Sequence, residues 1–249
     1  MTVTFVVPAY NEEQNLAATV EGIVGATAGV VPDYEILIVN DGSRDGTGAI
    51  ADELARQNPS VAVLHNPVNR GLGYNYGAGV KAARGEYVMM VPGDNEILPE
   101  TIRSLLQRIG RADIVIPYIA NYGARKPGRA VLSKLFTWGL NLLFGLRLRY
   151  YNGIVIHRTP LIRSVPMKTH GFAYQADALV RLIRTGHSYV QAPMVIKPRD
   201  AGTSKALRPR NVVSVFQTVW SLFWEVRIRD RARYSGQAFE IPDTSPGAP

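Results

Sequence analysis

The sequence predicts an α/β protein with a mostly parallel, Rossmann-like sheet flanked by helices, and three observations carry that expectation. The first 117 residues alternate between strand and helix patterns, the arrangement that builds parallel sheets. Three strand-like runs end in clusters of acidic, glycine and turn residues: Val3 to Val7 in Pro8-Ala9-Tyr10-Asn11-Glu12, Glu35 to Val39 in Asn40-Asp41-Gly42-Ser43-Arg44-Asp45-Gly46-Thr47, and Tyr87 to Val91 in Pro92-Gly93-Asp94-Asn95-Glu96. In an open α/β sheet those carboxyl ends line one crevice, where ligands bind. Finally, Pro99 stands where a helix favours proline, at its first position.

Each element follows in order. After the first strand, Glu12 to Ile23 has helical apolar spacing, and the strand through Ile36 to Val39 leads by Asp-Gly turns into a helix over Gly48 to Arg56. Val61 to Leu64 is a short strand, Gly71-Leu72-Gly73 opens a helix through Ala83, Tyr87 to Val91 is a buried strand, and Asp113 to Ile116 is another. From Asn121 the texture changes. Arg125-Lys126-Pro127-Gly128-Arg129 is a basic loop, and Ala130 to Leu146 is an apolar helical stretch bordered by Arg147 and Arg149. With Lys134, Ser133 and Asn141 inside it, this stretch suits a membrane interface better than a span. Val212, Val215, Phe216, Val219, Trp220 and Phe223 form a second apolar stripe, followed by Arg227, Arg229, Arg231 and Arg233. Two apolar helices bordered by arginines suggest peripheral docking on a membrane surface; the plainer alternative is packing on the sheet or a dimer contact. The tail from Ser235 to Pro249, rich in Pro, Gly and Ser, is expected to be disordered.

Composition narrows the chemistry. A chain of 249 residues with 46% hydrophobic and 19% charged content can bury a full core. The absence of cysteine excludes disulfides, thiol nucleophiles and thiolate metal sites and fits a reducing compartment. The start carries no basic region followed by an apolar run, so a cytoplasmic location is expected. The net charge of +8 is uneven: residues 1–124 hold 8 Lys+Arg against 14 Asp+Glu, a net of −6, and residues 125–249 hold 20 against 6, a net of +14. The first half suits a metal and sugar hydroxyls, and the second an anionic surface or a lipid phosphate. Nucleic acid is not expected as a partner, because the arginines border apolar helices instead of alternating with stacking aromatics.

Asp41 ends the second strand, where Gly42 permits a tight turn and the carboxylate can accept bonds from a ribose or base edge. Asp45 is read as a helix cap with Thr47. Asp94, with Glu96 two positions later, is the leading metal candidate, because Mg²⁺ or Mn²⁺ takes one or two carboxylates plus substrate phosphate oxygens. The alternative is that Asp94-Asn95 merely forms a turn before Pro99. Arg199 and Lys205, flanking Gly202-Thr203-Ser204, have the composition of an anion lid or of an ordinary surface loop. The four histidines, 65, 157, 170 and 187, lack metal-ligand spacing and are read as structural or surface residues, and no Ser/His/Asp arrangement is visible.

These pieces, in this order over residues 2–205, resemble the family 2 inverting glycosyltransferases of the type-A fold, most closely the branch of dolichol-phosphate mannose synthases and polyprenyl-phosphate glycosyltransferases. The resemblance implies a glycosyltransferase domain over 1–210, with a nucleotide-sugar-binding half to 120 and an acceptor half beyond, and an amphipathic basic helix over 211–234. It implies that Pro8, Tyr10, Glu12 and Asp41, with Gly71, hold the nucleotide. Asp94 becomes the ligating Asp of the family's Asp-x-Asp motif, with Glu96 beside it toward metal or sugar. Tyr174-Gln175-Ala176-Asp177 resembles the family's Phe-Gln-x-Glu, giving Gln175 a sugar contact. Arg199 to Lys205 resembles an Arg-x-x-Gly-x-Ser-Lys loop that contacts the diphosphate, and Arg125, Arg129 and Ser133 lie where the branch binds the lipid phosphate. Two positions depart from the pattern: Pro92 replaces the first Asp of Asp-x-Asp, and Asn40 the first Asp of Asp-Asp-Gly-Ser.

The reaction implied is direct displacement at the anomeric carbon, with the metal, Arg199 and Lys205 stabilising the departing nucleotide. A phosphate acceptor, already ionised near neutrality, needs cations and no strong base. A hydroxyl acceptor would need a carboxylate, for which Asp177 is the candidate. A third reading is a nucleotide-sugar-binding protein with weak turnover.

Overall fold

The computed structural model describes residues 1–121, 123, 127–169, 171, 173–197, 209–237 and 239–244. In chain order these form β1 (Thr2–Ala9), α1 (Leu16–Thr27), β2 (Asp33–Asp41), α2 (Thr47–Gln57), β3 (Val61–Asn66), α3 (Leu72–Ala82), β4 (Tyr87–Met90), α4 (Pro99–Leu106) and β5 (Ile114–Ile119). The second half adds α5 (Pro127–Phe144), β6 (Ile156–Arg158), α6 (Thr159–Arg163), α7 (Tyr174–Arg184), β7 (Ser188–Met194), α8 (Pro209–Phe223), a π-helical turn over Trp224–Arg229, and β8 (Phe239–Glu240).

The strands make one sheet in the order β3-β2-β1-β4-β6-β5-β7-β8. All pairs are parallel except those of β6, which runs antiparallel between β4 and β5. Both faces are covered, so the central strands are apolar on both sides. From β1, Phe5 and Val7 face a core with Leu16, Val20 and Ile23 of α1 and Ile102 and Leu105 of α4. Val6 faces the other, with Tyr76 and Val80 of α3, Phe144 of α5 and Leu179 and Ile183 of α7. Pro8 is tolerated in this central strand because its carbonyl side faces β4, whose ladder has ended at Met90 opposite Val6. On that side the Pro8 carbonyl accepts a bond from Gly93 N–H at 3.1 Å.

The tail corrects one expectation. Within the segment read as disordered, Phe239–Glu240 pairs in parallel with β7, and the Asp243 carboxylate accepts a 2.7 Å bond from Nε of Arg108, both side chains buried. A buried guanidinium at the exit of α4 needs an anionic partner, and composition alone does not reveal that the tail supplies it. The antiparallel β6 was likewise absent from the sequence-based expectation.

Candidate functional site

The carboxyl ends of β1, β2, β3, β4, β5 and β7 lie along one edge of the sheet, because these strands pair in parallel or, for β4 and β5, flank the same antiparallel strand β6. The loops after β1 and β2 interlock there. Thr47 Oγ1 accepts from Glu12 N–H at 2.8 Å, Glu13 Oε2 from Gly46 N–H at 2.8 Å, and Asn11 Oδ1 from Arg44 N–H at 2.9 Å. Glu12 is steadied by Asn15 Nδ2 at 2.9 Å. Asp45 accepts from both N–H and hydroxyl of Thr47, at 3.1 and 2.6 Å, the capping role expected of it. Desolvation opposes its ionisation, yet the carboxyl lies below the ordinary range, because the bonds from Thr47 and from the Glu13 and Asp45 backbone together lower it.

Asp41 is 3% exposed and its carboxylate is already engaged. Oδ1 accepts from Asn66 Nδ2 at 2.9 Å and from Arg70 N–H at 2.7 Å, and Oδ2 accepts from Gly71 N–H at 3.0 Å. The carboxylate expected to be open to a nucleotide therefore fixes the loop from Asn66 to Gly71 over the end of β2. Gly42 makes this possible: its φ is +68°, and a Cβ there would lie 2.6 Å from the carbonyl carbon of Val68. Asn40 is held by local bonds. Its Oδ1 accepts from Ser43 N–H at 3.2 Å and its amide donates to Nδ1 of His65 at 3.0 Å, with Nε2 of His65 against Asp52 at 3.1 Å.

Across the crevice, Gly93 packs against the end of β1, leaving little room for a side chain: a Cβ would meet Ala9 Cβ and the Pro8 carbonyl at 3.2 Å. This sets the Asp94 turn against the end of β1. Glu96 N–H donates to Asp94 Oδ1 at 3.3 Å, and Asn95 adopts the left-handed backbone with φ 54°. Lys197, for which the sequence carries no signal, donates from Nζ to the Asn95 carbonyl at 3.1 Å. An antiparallel bridge between Ile97 and Ile196 ties the same turn to the chain leaving β7. Asn121 closes the edge, donating to the Ile196 carbonyl at 2.9 Å and accepting from its N–H at 3.1 Å. Among the described residues no group of three or more His, Cys, Asp or Glu side chains is placed to hold a metal. Asp94 with Glu96 still fits Mg²⁺ or Mn²⁺, which bind through one or two carboxylates when phosphate oxygens and water complete the shell.

The acceptor half is different from expectation. Gln175 is buried, with its amide 2.9 Å from Nε2 of His157, and burial pushes His157 down to about 3, so the imidazole is neutral. Asp177, 3% exposed, is not a free base: Oδ1 accepts from Nε of Arg181 at 2.9 Å. Arg181 also donates to Glu225 and to the Tyr234 hydroxyl, and Lys168 donates to Glu225 at 2.6 Å. Burial raises the Asp177 carboxyl, with Arg181 opposing. The four-residue spacing of Asp177 and Arg181 on one helix was the signal for this pair; Glu225 and Lys168 carried none. Arg129 and Ser133 stand one turn apart on α5. Arg125, Arg199 and Lys205 lie outside the described residues.

Both apolar helices expose part of their apolar surface, while Val219 and Phe223 of the α8 stripe and Leu140 and Phe144 of α5 pack against the core. On α5, Val131, Leu135, Trp138 and Leu142 face solvent, Trp138 at 65% exposure; on α8, Val212, Phe216 and Trp220 do so, Phe216 at 69%, and Trp224 follows. The helices meet at their carboxyl ends, where Phe144 and Phe223 pack edge to face at 6.4 Å and Nε of Arg227 donates to the Leu143 carbonyl at 2.9 Å. Among the described residues no helix is long and apolar enough to cross a membrane.

Comparison with known proteins shows the family and the fold. The family described as Glycosyl transferase family 2 matches residues 4–167. An undecaprenyl-phosphate mannosyltransferase of Micrococcus luteus is 32% identical over 216 residues, covering 82% of this chain and 87% of that protein. A polyprenol monophosphomannose synthase of Mycolicibacterium smegmatis is 33% identical over 242 residues, covering 92% and 89%. Glucosyl-3-phosphoglycerate synthase of Mycobacterium tuberculosis, solved with Mn²⁺, UDP and glucosyl-3-phosphoglycerate, superposes with a TM-score of 0.65 at 18% identity over 89% of this chain and 79% of that one. At that identity the likeness concerns the fold.

Proposed function

The chain belongs to glycosyl transferase family 2, and from that premise we propose that it transfers a hexose, with inversion, from a nucleotide sugar such as GDP-mannose or a UDP-sugar to a polyprenyl phosphate at a membrane surface. The observation that carries the acceptor is the pair of exposed apolar stripes on α5 and α8. A polyprenyl chain stays in the bilayer, so an enzyme without a spanning helix among its described residues must lie on the interface to reach the phosphate. Arg227, Arg229, Arg231 and Arg233 border α8 and suit an anionic leaflet. The two relatives named for polyprenyl-type phosphate acceptors support the same reading. We place the protein peripherally on the cytoplasmic face.

The state of Asp177 bears on the choice of acceptor. A hydroxyl would need a base to take its proton, and Asp177, the carboxylate suited to that task, is buried and committed to Arg181. A phosphate monoester arrives ionised and needs positioning cations instead, which the basic second half supplies through Arg129 and, by sequence, Arg125, with Ser133 as a hydroxyl donor.

On the donor side, the turn at Asp94 and the loop held by Asp41 face each other across the end of β1. Pro8 contributes its backbone, Tyr10 and Glu12 line the loop after β1, and Gly71 lies where Asp41 fixes it. Asp94, with Glu96, would hold Mg²⁺ or Mn²⁺, which when bound neutralises charge on the departing nucleoside diphosphate. Arg199 and Lys205 are proposed to contact the same diphosphate.

The test is transfer of radiolabel from a panel of GDP- and UDP-sugars to polyprenyl phosphate in detergent, read in the organic phase. Label that is lost in Asp94→Ala is the expected result. Failure with every donor, while nucleotide binding is intact, would rule out the lipid acceptor.

A further inference from the structure

We propose that Lys197 is a contact for the donor's diphosphate, taking part of the charge neutralisation at a strand end that carries Pro92 and a single aspartate, Asp94, where two aspartates are the related pattern. The inference rests on the nucleotide-sugar reading of the crevice.

Three observations place the lysine. It leaves β7 on the same sheet edge as Asp94, and its ammonium lies on the Asp94 turn, 3.1 Å from the Asn95 carbonyl. The backbone beneath it is held in place, since the Ile97–Ile196 bridge and the two Asn121–Ile196 bonds clamp the residue immediately before it. Lys197 is half-buried, yet among the described residues it forms no ion pair, and the neutral carbonyl it bonds satisfies one of its three donors. A cation partly removed from water without an anion is unfavourable on its own. An anion arriving at this edge would remove that cost and gain charge-assisted hydrogen bonds.

The charge balance points the same way. With proline at 92, the turn has one carboxylate fewer to repel a diphosphate, and Lys197 adds a positive charge. A nucleoside diphosphate should therefore bind measurably without a divalent cation.

The experiment is calorimetric titration of UDP and of GDP into the full chain, once with EDTA and once with Mn²⁺, for wild type, Lys197→Met and Lys197→Arg, with a thermal melt of each free protein. Expected is binding of one of the two nucleotides by wild type in EDTA, weakened about tenfold or more in Lys197→Met, as for loss of one charge-assisted bond, and largely kept in Lys197→Arg. Added Mn²⁺ should narrow the difference. Equal affinity of wild type and Lys197→Met in EDTA, with only a lower melting temperature, would make Lys197 a strut for the Asn95 turn and overturn the proposal. Binding by wild type only with Mn²⁺ also overturns it but leaves the donor reading intact. No binding in either condition removes the donor reading together with the proposal.

Discussion

Arg181 of α7 and Glu225 of the π-helical turn are joined by two hydrogen bonds, Nη1 to Oε1 at 2.6 Å and Nη2 to Oε2 at 3.1 Å, with both side chains buried. The pair connects the helix that carries Gln175 and Asp177 to the end of the exposed apolar helix α8. Removing Glu225 leaves a buried guanidinium with Asp177 as its remaining carboxylate partner among the described residues. Breaking such a pair costs about 3–5 kcal/mol. Glu225→Ala should therefore lower the urea midpoint far more than an exposed change such as Glu53→Ala, whose ion pair with Arg56 lies on the surface.

The same pair sets an acid limit. Bonds from Arg181, and then from Lys168, hold the Glu225 carboxyl at about 2 against its ordinary 4.5, despite the opposing desolvation. A depressed folded value means stability present above pH 4.5 and lost as pH falls toward 2. Asp177 works in the opposite direction, because its raised carboxyl favours the protonated form in the folded protein. Denaturant titrations between pH 5 and pH 2 should show a steeper fall in stability for wild type than for Glu225→Gln. Parallel curves would show that Glu225 does not contribute to the acid limit.

Asp41→Asn tests the loop that carries Gly71. An amide can present one oxygen to donors that now use two, so the N–H of Arg70 or Gly71, or the amide of Asn66, loses its partner. An unsatisfied buried donor costs about 1–3 kcal/mol, and the loop should loosen. Hydrogen exchange at Arg70 and Gly71 should speed up, and nucleotide affinity should fall with it. Unchanged exchange at these amides would mean that Asp41 does not pin the loop.

Much of the fold was legible because the first half repeats a simple chemistry. Apolar runs at Val3, Ile36 and Tyr87 end in turn residues, and helix signals such as Pro99 stand where the helices begin. The parallel sheet and its crevice follow from those local patterns. β6 was not legible: its antiparallel course is decided by pairing with Val88 and Ile114, which are remote in sequence. Nor was β8, since Phe239 and Glu240 sit in a proline-rich tail and are held by β7 and by the Asp243–Arg108 pair. In the site, residue types were read correctly as carboxylates at strand ends, but their partners were not. Asp41 and Asp177 looked available because their donors, the loop amides at 70 and 71 and the guanidinium of Arg181, are supplied by tertiary structure. Lys197 was missed because a lone lysine before a proline carries no pattern.

Gly42→Ala combines two penalties. Its φ of +68° disfavours any side chain, and the new methyl would press on the backbone of Val68 and Asn69 at 2.6 to 2.8 Å. The left-handed conformation alone costs about 1–2 kcal/mol, and the contact with main chain cannot be relieved by a rotamer change. The loop to Gly71 would have to move, so nucleotide affinity should fall more than stability does. Full affinity in this variant would place the nucleotide away from that loop.

The exposed tryptophans give the membrane proposal its own test, separate from catalysis. Trp138 and Trp220 stand on different helices and are largely exposed, Trp220 stacking on Phe223, so replacing them with serine should leave the melting temperature within a few °C, as expected for surface changes. Burying one such side chain in a bilayer interface is worth about 2 kcal/mol, roughly a thirtyfold change in partitioning. Cosedimentation with anionic vesicles should therefore drop strongly in each variant and further in the pair. Added salt should weaken it again, because the arginines after α8 contribute through screened attraction. If both variants sediment like wild type, the stripes on α5 and α8 are not the surface that meets the bilayer, and transfer in detergent and transfer in vesicles should then respond alike to every change in them.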